Sequence, residues 1–147
     1  LFPDVRLKRF LEMRGADGGP WRRICALPAF WVGLLYDQGA LDAADAVTKD
    51  WTFAEVEALR NAVPAQGMDA RFRGRDLWEI GREVIDIARG GLRARRRLSS
   101  SEQDESVFLA PLDEMIAKRS TLADDMLSLW KGRWAGRIDE VFEDYQY

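Results

Sequence analysis

The chain has 147 residues, enough for one domain around a single core, and its 47% apolar and 32% charged content belongs to a folded globular chain rather than a disordered one. A net charge of −3 offers nucleic acid no global attraction. The absence of histidine removes Ser-His-Asp and Cys-His mechanisms, and the single cysteine, Cys25, excludes an internal disulfide framework and a multi-cysteine zinc site.

Residues 5–14 alternate. Val5, Leu7, Leu11 and Met13 point one way, and Arg6, Lys8, Glu12 and Arg14 the other; Arg9 and Phe10 each break the pattern once. Period two predicts a strand with one face on a core. Gly15 to Pro20 ends it. The remainder reads as helix. Pro20 suits a first helical position before 21–26, and Pro28 is expected to kink or restart the helix, which continues through the apolar run to Tyr36. That run, 29–36, is too short to cross a membrane. A second helix is expected near 41–49 and a third from Thr52, with Thr52 and Glu55 forming a capping box and Pro64 ending it. Residues 68–75 read as a loop carrying Phe72. A long amphipathic helix follows over 76–95, with Leu77, Ile80, Val84, Ile87 and Ala88 on one stripe. The polar stretch 99–106 is the one expected to be disordered. Helices near 108–118 and 121–131 follow, Thr121 capping the second with Asp124 at its third position, and 137–147 is a short tail.

The chain is thus expected to be mainly α with one N-terminal β-strand. A solitary strand has unpaired backbone groups on both edges, so its sheet is expected elsewhere. The first residue is Leu1, not Met. Residue 1 is therefore expected not to be the natural start, and the lack of a targeting segment carries no information.

Along a continuous strand, Glu12 and Arg14 project from one face roughly 7 Å apart. A carboxylate there can ligate a hard cation, and a guanidinium beside it can hold phosphate bidentately. Mg²⁺ prefers a few carboxylates plus substrate phosphates, so Glu-x-Arg on a sheet suits part of a Mg–ATP site. The same spacing also describes a solvated strand face with cross-strand ion pairs. Arg6 and Lys8 share the Glu12 face and would add positive potential for a nucleotide.

The stretch 1–37, beginning LFPDVRLKRFLEMRGADGGPW, closely resembles the C-terminal third of glutamate–cysteine ligases of the plant and alphaproteobacterial type. The resemblance continues through DWTFAEVEALRNAVP and FRGRDLWEIGREVIDIARGGL, and ends with FLAPLDEMI and WAGRIDEVFEDYQY; the Ser-rich loop carries none of it. It implies part of an α+β fold similar to the glutamine-synthetase-like carboxylate–amine ligases. Residues 1–18 would be the last strand of a catalytic antiparallel sheet and its loop, and 19–147 a C-terminal helical subdomain. The implied activity joins the γ-carboxylate of L-glutamate to the amine of L-cysteine through a γ-glutamyl phosphate, with ATP as co-substrate and Mg²⁺ as cofactor. By the same resemblance Glu12 is the metal ligand and Arg14 the phosphate contact. The other ligands would lie upstream, in the remainder of the enzyme chain, so these residues alone would be inactive. No nucleic acid or membrane partner is implied. Eighteen arginines against four lysines fit a GC-rich bacterial gene and a cytoplasmic protein, or a plastid one if the source is a plant.

Other residues have plainer readings. Asp17 is a turn aspartate. GADGGP lacks the spacing and lysine of a phosphate loop. Cys25 matches a regulatory cysteine of the plant enzymes by the resemblance, and by its residue type reads as a buried structural thiol. The basic run 89–97 is a cationic helix C-terminus, and the six tryptophans are packing anchors. The alternative from a different class is a stand-alone helical interaction or dimerisation module whose strand docks on a partner's edge.

Overall fold

The computed structural model describes residues 4–16 and 18–145. Eight helices, α1–α8, and four short strands, β1–β4, are found among them. The expected single strand over 5–14 is instead a hairpin. β1 (Val5–Leu7) pairs antiparallel with β2 (Leu11–Met13), in the register Val5↔Met13, Arg6↔Glu12, Leu7↔Leu11. The turn uses Lys8, Arg9 and Phe10, and the Lys8 amide donates to the Phe10 carbonyl at 2.9 Å. Arg9 and Phe10 are the two residues that interrupt the alternation. None of the three turn residues has a positive φ. The turn therefore needs no glycine or asparagine, and its sequence carries no turn signal.

α1 (Trp21–Ile24) and α2 (Ala26–Leu35) are separated at Cys25, not at Pro28. Pro28 falls in the first turn of α2, where a missing N–H costs no intrahelical bond. α3 (Gln38–Thr48) starts earlier than expected because the Asp37 carboxylate accepts from the Ala40 amide at 2.9 Å. α4 (Phe53–Gln66) carries the capping box of Thr52 and Glu55, and runs two residues past Pro64 instead of ending there.

The expected loop at 68–75 is a 3₁₀ turn, Gly67–Asp69, followed by a second hairpin of β3 (Arg71–Phe72) and β4 (Arg75–Asp76). Both residues of its tight turn are left-handed, Arg73 at φ 50° and Gly74 at φ 82°. A two-residue turn with both central φ values positive matches the twist of a hairpin. Arg73 holds that conformation while forking onto Glu55, with both contacts at 2.7 Å, and donating to the Asp50 carbonyl. Phe72 is buried against the Trp51 ring at 4.5 Å.

α5 (Leu77–Ala94) is the spine. Trp78, Ile80, Ile85, Ala88, Gly91 and Leu92 are its buried residues, so the buried stripe is centred on Trp78, Ile85 and Leu92 rather than on Leu77 and Val84. α2 crosses it where side chains are smallest. A Cβ on Gly33 would stand 2.3 Å from the Ala88 carbonyl oxygen, and one on Gly91 would stand 1.9 Å from the Gly33 carbonyl oxygen. Only hydrogen fits between the two backbones at these positions.

The stretch expected to be disordered, 99–106, is an ordered turn. Ser99 Oγ accepts from the Ser101 and Gln103 amides, Leu98 bridges Asp104, and a 3₁₀ turn Glu105–Leu109 leads into α6 (Ala110–Lys118). Local hydroxyl and carboxylate caps satisfy its backbone, which composition alone does not reveal. α7 (Leu122–Lys131) begins at the expected cap, Thr121, and Asp124 completes a capping box with it. The expected tail forms α8 (Ile138–Asp144), anchored where Trp134, 1% exposed, donates from Nε1 to Asp144 at 2.7 Å. Ala29, Leu34, Trp78, Ile85, Ala88, Leu92, Leu109 and Ile116 make the main core. Trp78 and Trp134 are anchors as expected, whereas Trp21 is 72% exposed. No single helix among the described residues is long and apolar enough to cross a membrane.

Candidate functional site

The hairpin of β1 and β2 sorts its side chains without losing the sequence alternation. Its register pairs residues whose numbers sum to an even value, so odd residues face odd and even face even. Val5, Leu7, Leu11 and Met13 share one face, and Arg6 and Glu12 lie opposite each other on the other. On a continuous strand Arg6 and Glu12 would stand roughly 20 Å apart. The turn instead brings Arg6 Nε to 2.6 Å from Glu12 Oε2. Lys8 Nζ lies 3.6 Å from Glu12 Oε1, longer than a hydrogen bond, and 5.8 Å from the centre of the Phe10 ring. Arg14 follows β2, and its amide donates to the Asp4 carbonyl at 2.8 Å.

The four residues singled out in the sequence therefore form one charged cluster, with contacts the linear pattern did not show. The hydrogen bond from Arg6, with the charges of Arg6, Lys8 and Arg14 behind it, holds the Glu12 carboxyl below its usual range. Arg6 and Lys8 both contact the Glu12 carboxylate, and the charge of Arg14 acts on it as well. Asp17 lies outside the described residues.

One carboxylate fits one position of a hard-cation site and no more. Oε2 accepts from Arg6, and Oε1 lies 3.6 Å from the Lys8 ammonium, so both oxygens face cations. No group of three metal-ligating side chains occurs among the described residues. Any complete Mg²⁺ shell needs ligands from outside them.

The other face of the hairpin is open. Leu7 is 80% exposed and Leu11 58%, with Val5 also exposed. An apolar groove of about 800 Å³ lies between α1, α2, α5, α6 and α7, bordered by the loop residues Ala16, Gly18 and Gly19. It holds no carboxylate and one charged residue, Arg23, so its chemistry is packing rather than group transfer. Cys25 is half-buried. Within the basic segment 89–97, two of the five arginines form ion pairs: Arg89 with Asp86 and Asp113, and Arg95 with Glu105 at 3.0 Å.

The family model described as Glutamate-cysteine ligase family 2 matches residues 1–144. The whole chain is 48% identical to "Glutamate--cysteine ligase, chloroplastic" of Arabidopsis thaliana and spans 27% of that protein. It is 46% identical over its whole length to the protein of the same name from Solanum lycopersicum, of which it also spans 27%. To "Glutamate--cysteine ligase A, chloroplastic" of Oryza sativa subsp. indica it is 44% identical, spanning 29%. The chain thus covers between a quarter and a third of the length of each.

Proposed function

The chain belongs to Glutamate-cysteine ligase family 2, and from that premise we propose that it is the C-terminal portion of an ATP-dependent ligase that joins the γ-carboxylate of glutamate to the amine of cysteine. The observation that carries the reading is the charged cluster Arg6–Lys8–Glu12–Arg14 on a family-matched segment. The hairpin supplies two strands of a larger antiparallel sheet of the glutamine-synthetase-like kind, and residues 19–147 form a helical subdomain behind it. The open apolar face of Val5, Leu7 and Leu11 supports this reading, because a two-stranded hairpin with one bare face gains stability by joining a larger sheet. The relatives' printed names place those proteins in chloroplasts. For this chain the same reading expects plastid in a plant source and cytoplasm otherwise.

In the proposed reaction a γ-carboxylate oxygen of glutamate attacks the terminal phosphorus of ATP, and ADP leaves. The cysteine amine then attacks the acyl carbon and phosphate leaves. Arg14 offers a planar fork to the transferring phosphoryl group and stabilises charge that grows on its oxygens. Lys8, on the turn, and Arg6 raise the positive potential that draws the nucleotide in. Glu12 would contribute one carboxylate to a Mg²⁺ site, whose other ligands would come from the rest of the enzyme. Mg²⁺, when bound, neutralises charge on the phosphate oxygens.

The test is an assay of the full-length protein with ATP, L-glutamate and L-cysteine. One ADP and one phosphate are expected per γ-glutamylcysteine, with an absolute need for divalent metal. ATP turnover that ignores both amino acids would overturn the assignment. A full-length protein with no turnover, whose isolated 147-residue chain dimerises, would favour the interaction-module reading.

A further inference from the structure

We infer that the apolar groove between α1, α2, α5, α6 and α7 seats one segment of the same polypeptide, from the part of the ligase that lies outside these 147 residues. The inference rests on the reading of the chain as one portion of a longer ligase given above.

The groove is assembled from five helices. Ile24 of α1 and Leu27 of α2 line it together with Met115 of α6 and Leu122 and Met126 of α7. Ile85 of α5 and Ile116 of α6, each 5% exposed, are its most deeply set large side chains. Arg22 of α1 forks onto Glu114 of α6, with contacts at 3.0 and 2.5 Å, and so ties two of the lining helices together across 92 positions of sequence. The groove therefore has its shape before anything enters it.

Protein interiors are close-packed, with few voids larger than a water molecule. An apolar space of about 800 Å³ is far outside that range. Ile24 and Leu27 remain 43% and 39% exposed beside it, so covering them returns apolar surface from water. The hairpin leads into the groove's border at Ala16 but leaves the groove unfilled, since its own Leu7 and Leu11 stand exposed. A small polar metabolite is a poor occupant, because Arg23 is the one charged lining residue and no set of convergent polar groups would orient it. The length of the relatives supplies a better one. The chain spans 27% of the Arabidopsis thaliana and Solanum lycopersicum proteins, so most of a ligase of that length lies outside these residues. A segment already tethered to the groove docks at high effective concentration, an advantage that a separate partner lacks.

The test is photo-crosslinking in the full-length protein. Leu27→p-benzoylphenylalanine probes the α2 side of the groove and Ala123→p-benzoylphenylalanine the α7 side. Each variant is irradiated as a mixture of isotopically light and heavy chains, and the crosslinked peptides are identified by mass spectrometry. Both probes are expected to react within their own chain, and with the same segment outside the 147 residues. Light–heavy crosslinks would overturn the inference in favour of a second copy. Crosslinks confined to the 147 residues, to a bound small molecule or to two unrelated segments would overturn it too, as would no crosslink at all. Should either variant fail to fold, hydroxyl-radical oxidation of the unmodified full-length protein decides. Met115 and Met126 are expected to oxidise at least about tenfold more slowly than in the unfolded chain, and a smaller protection overturns the inference. A full-length protein that shows the expected crosslinks but no glutamate–cysteine ligase turnover supports the seating of the segment and fails the ligase reading alone.

Discussion

At the scale of single residues, charge and shape can be separated on one short hairpin. Glu12→Gln preserves the size of the side chain but removes its charge. In the full-length enzyme it is expected to raise the Mg²⁺ requirement, with rate partly restored by added metal. Arg14→Lys keeps the charge and loses the planar fork, so added metal is not expected to rescue it. Loss of a transition-state contact of this kind costs on the order of 3 kcal/mol, roughly a hundredfold in turnover. Steady-state kinetics with Mg²⁺ and ATP varied independently checks both, and near-normal turnover in folded Glu12→Gln removes the metal role. A second residue-scale expectation concerns acid stability. The Arg73 fork and the Thr52 amide and hydroxyl pull the Glu55 carboxyl from 4.5 to about 2. A carboxyl depressed in the folded state binds a proton more readily when unfolded. Its contribution is present above about pH 4.5 and is lost as pH falls through about 2. Glu55→Gln is therefore expected to lower Tm near pH 7 and to flatten the decline of Tm across that acid window. A series of thermal melts from pH 7 to pH 2 checks the slope, and an unchanged slope removes Glu55 from the acid response.

At the scale of elements, the crossing of α2 and α5 is the tightest point of the fold. Gly91→Ala would drive a methyl group into the Gly33 carbonyl, a backbone group that cannot swing aside. The expected cost is about 3 kcal/mol, roughly 6–12 °C in Tm for a chain of this size. Gly90, one residue earlier on the same helix, has nothing within 4 Å of an added Cβ. Gly90→Ala is expected to be neutral or to stabilise by about 0.5–1 kcal/mol, because alanine restricts the unfolded chain. Melting the two variants side by side isolates the crossing; equal Tm values would mean the helices part without penalty. Elements differ in how plainly the sequence announces them. The boxes at Thr52 and Thr121 are legible because cap and partner lie three residues apart, within one turn. The first hairpin is not legible, because Lys8, Arg9 and Phe10 turn the chain with ordinary φ values. The second is marked only by Gly74, since its other left-handed residue is an arginine tied to Glu55 eighteen positions away.

At the scale of the whole molecule, the proposed reading makes the charged cluster one part of a site. Glu12 stands without two further metal-ligating side chains among the described residues, and the chain spans 27% of the Arabidopsis thaliana relative. The 147-residue chain by itself is expected to form no γ-glutamylcysteine from ATP, glutamate and cysteine. Detectable turnover by it alone would show that the remaining ligands are not required. The sequence by itself determined the helical class, the two faces of residues 5–14, the caps at Thr52 and Thr121, and the family through segments spread along the chain. These are local or cumulative signals, carried by spacing within a few residues or by many matched positions. Only the tertiary structure decided that the alternating segment folds back on itself, that Arg6 meets Glu12, and that Gly33 and Gly91 let two helices touch. An even-sum register leaves the alternation of a hairpin identical to that of one long strand, so the pattern could not distinguish them. A glycine's need for space is written in the backbone that approaches it, and here that backbone lies on another helix.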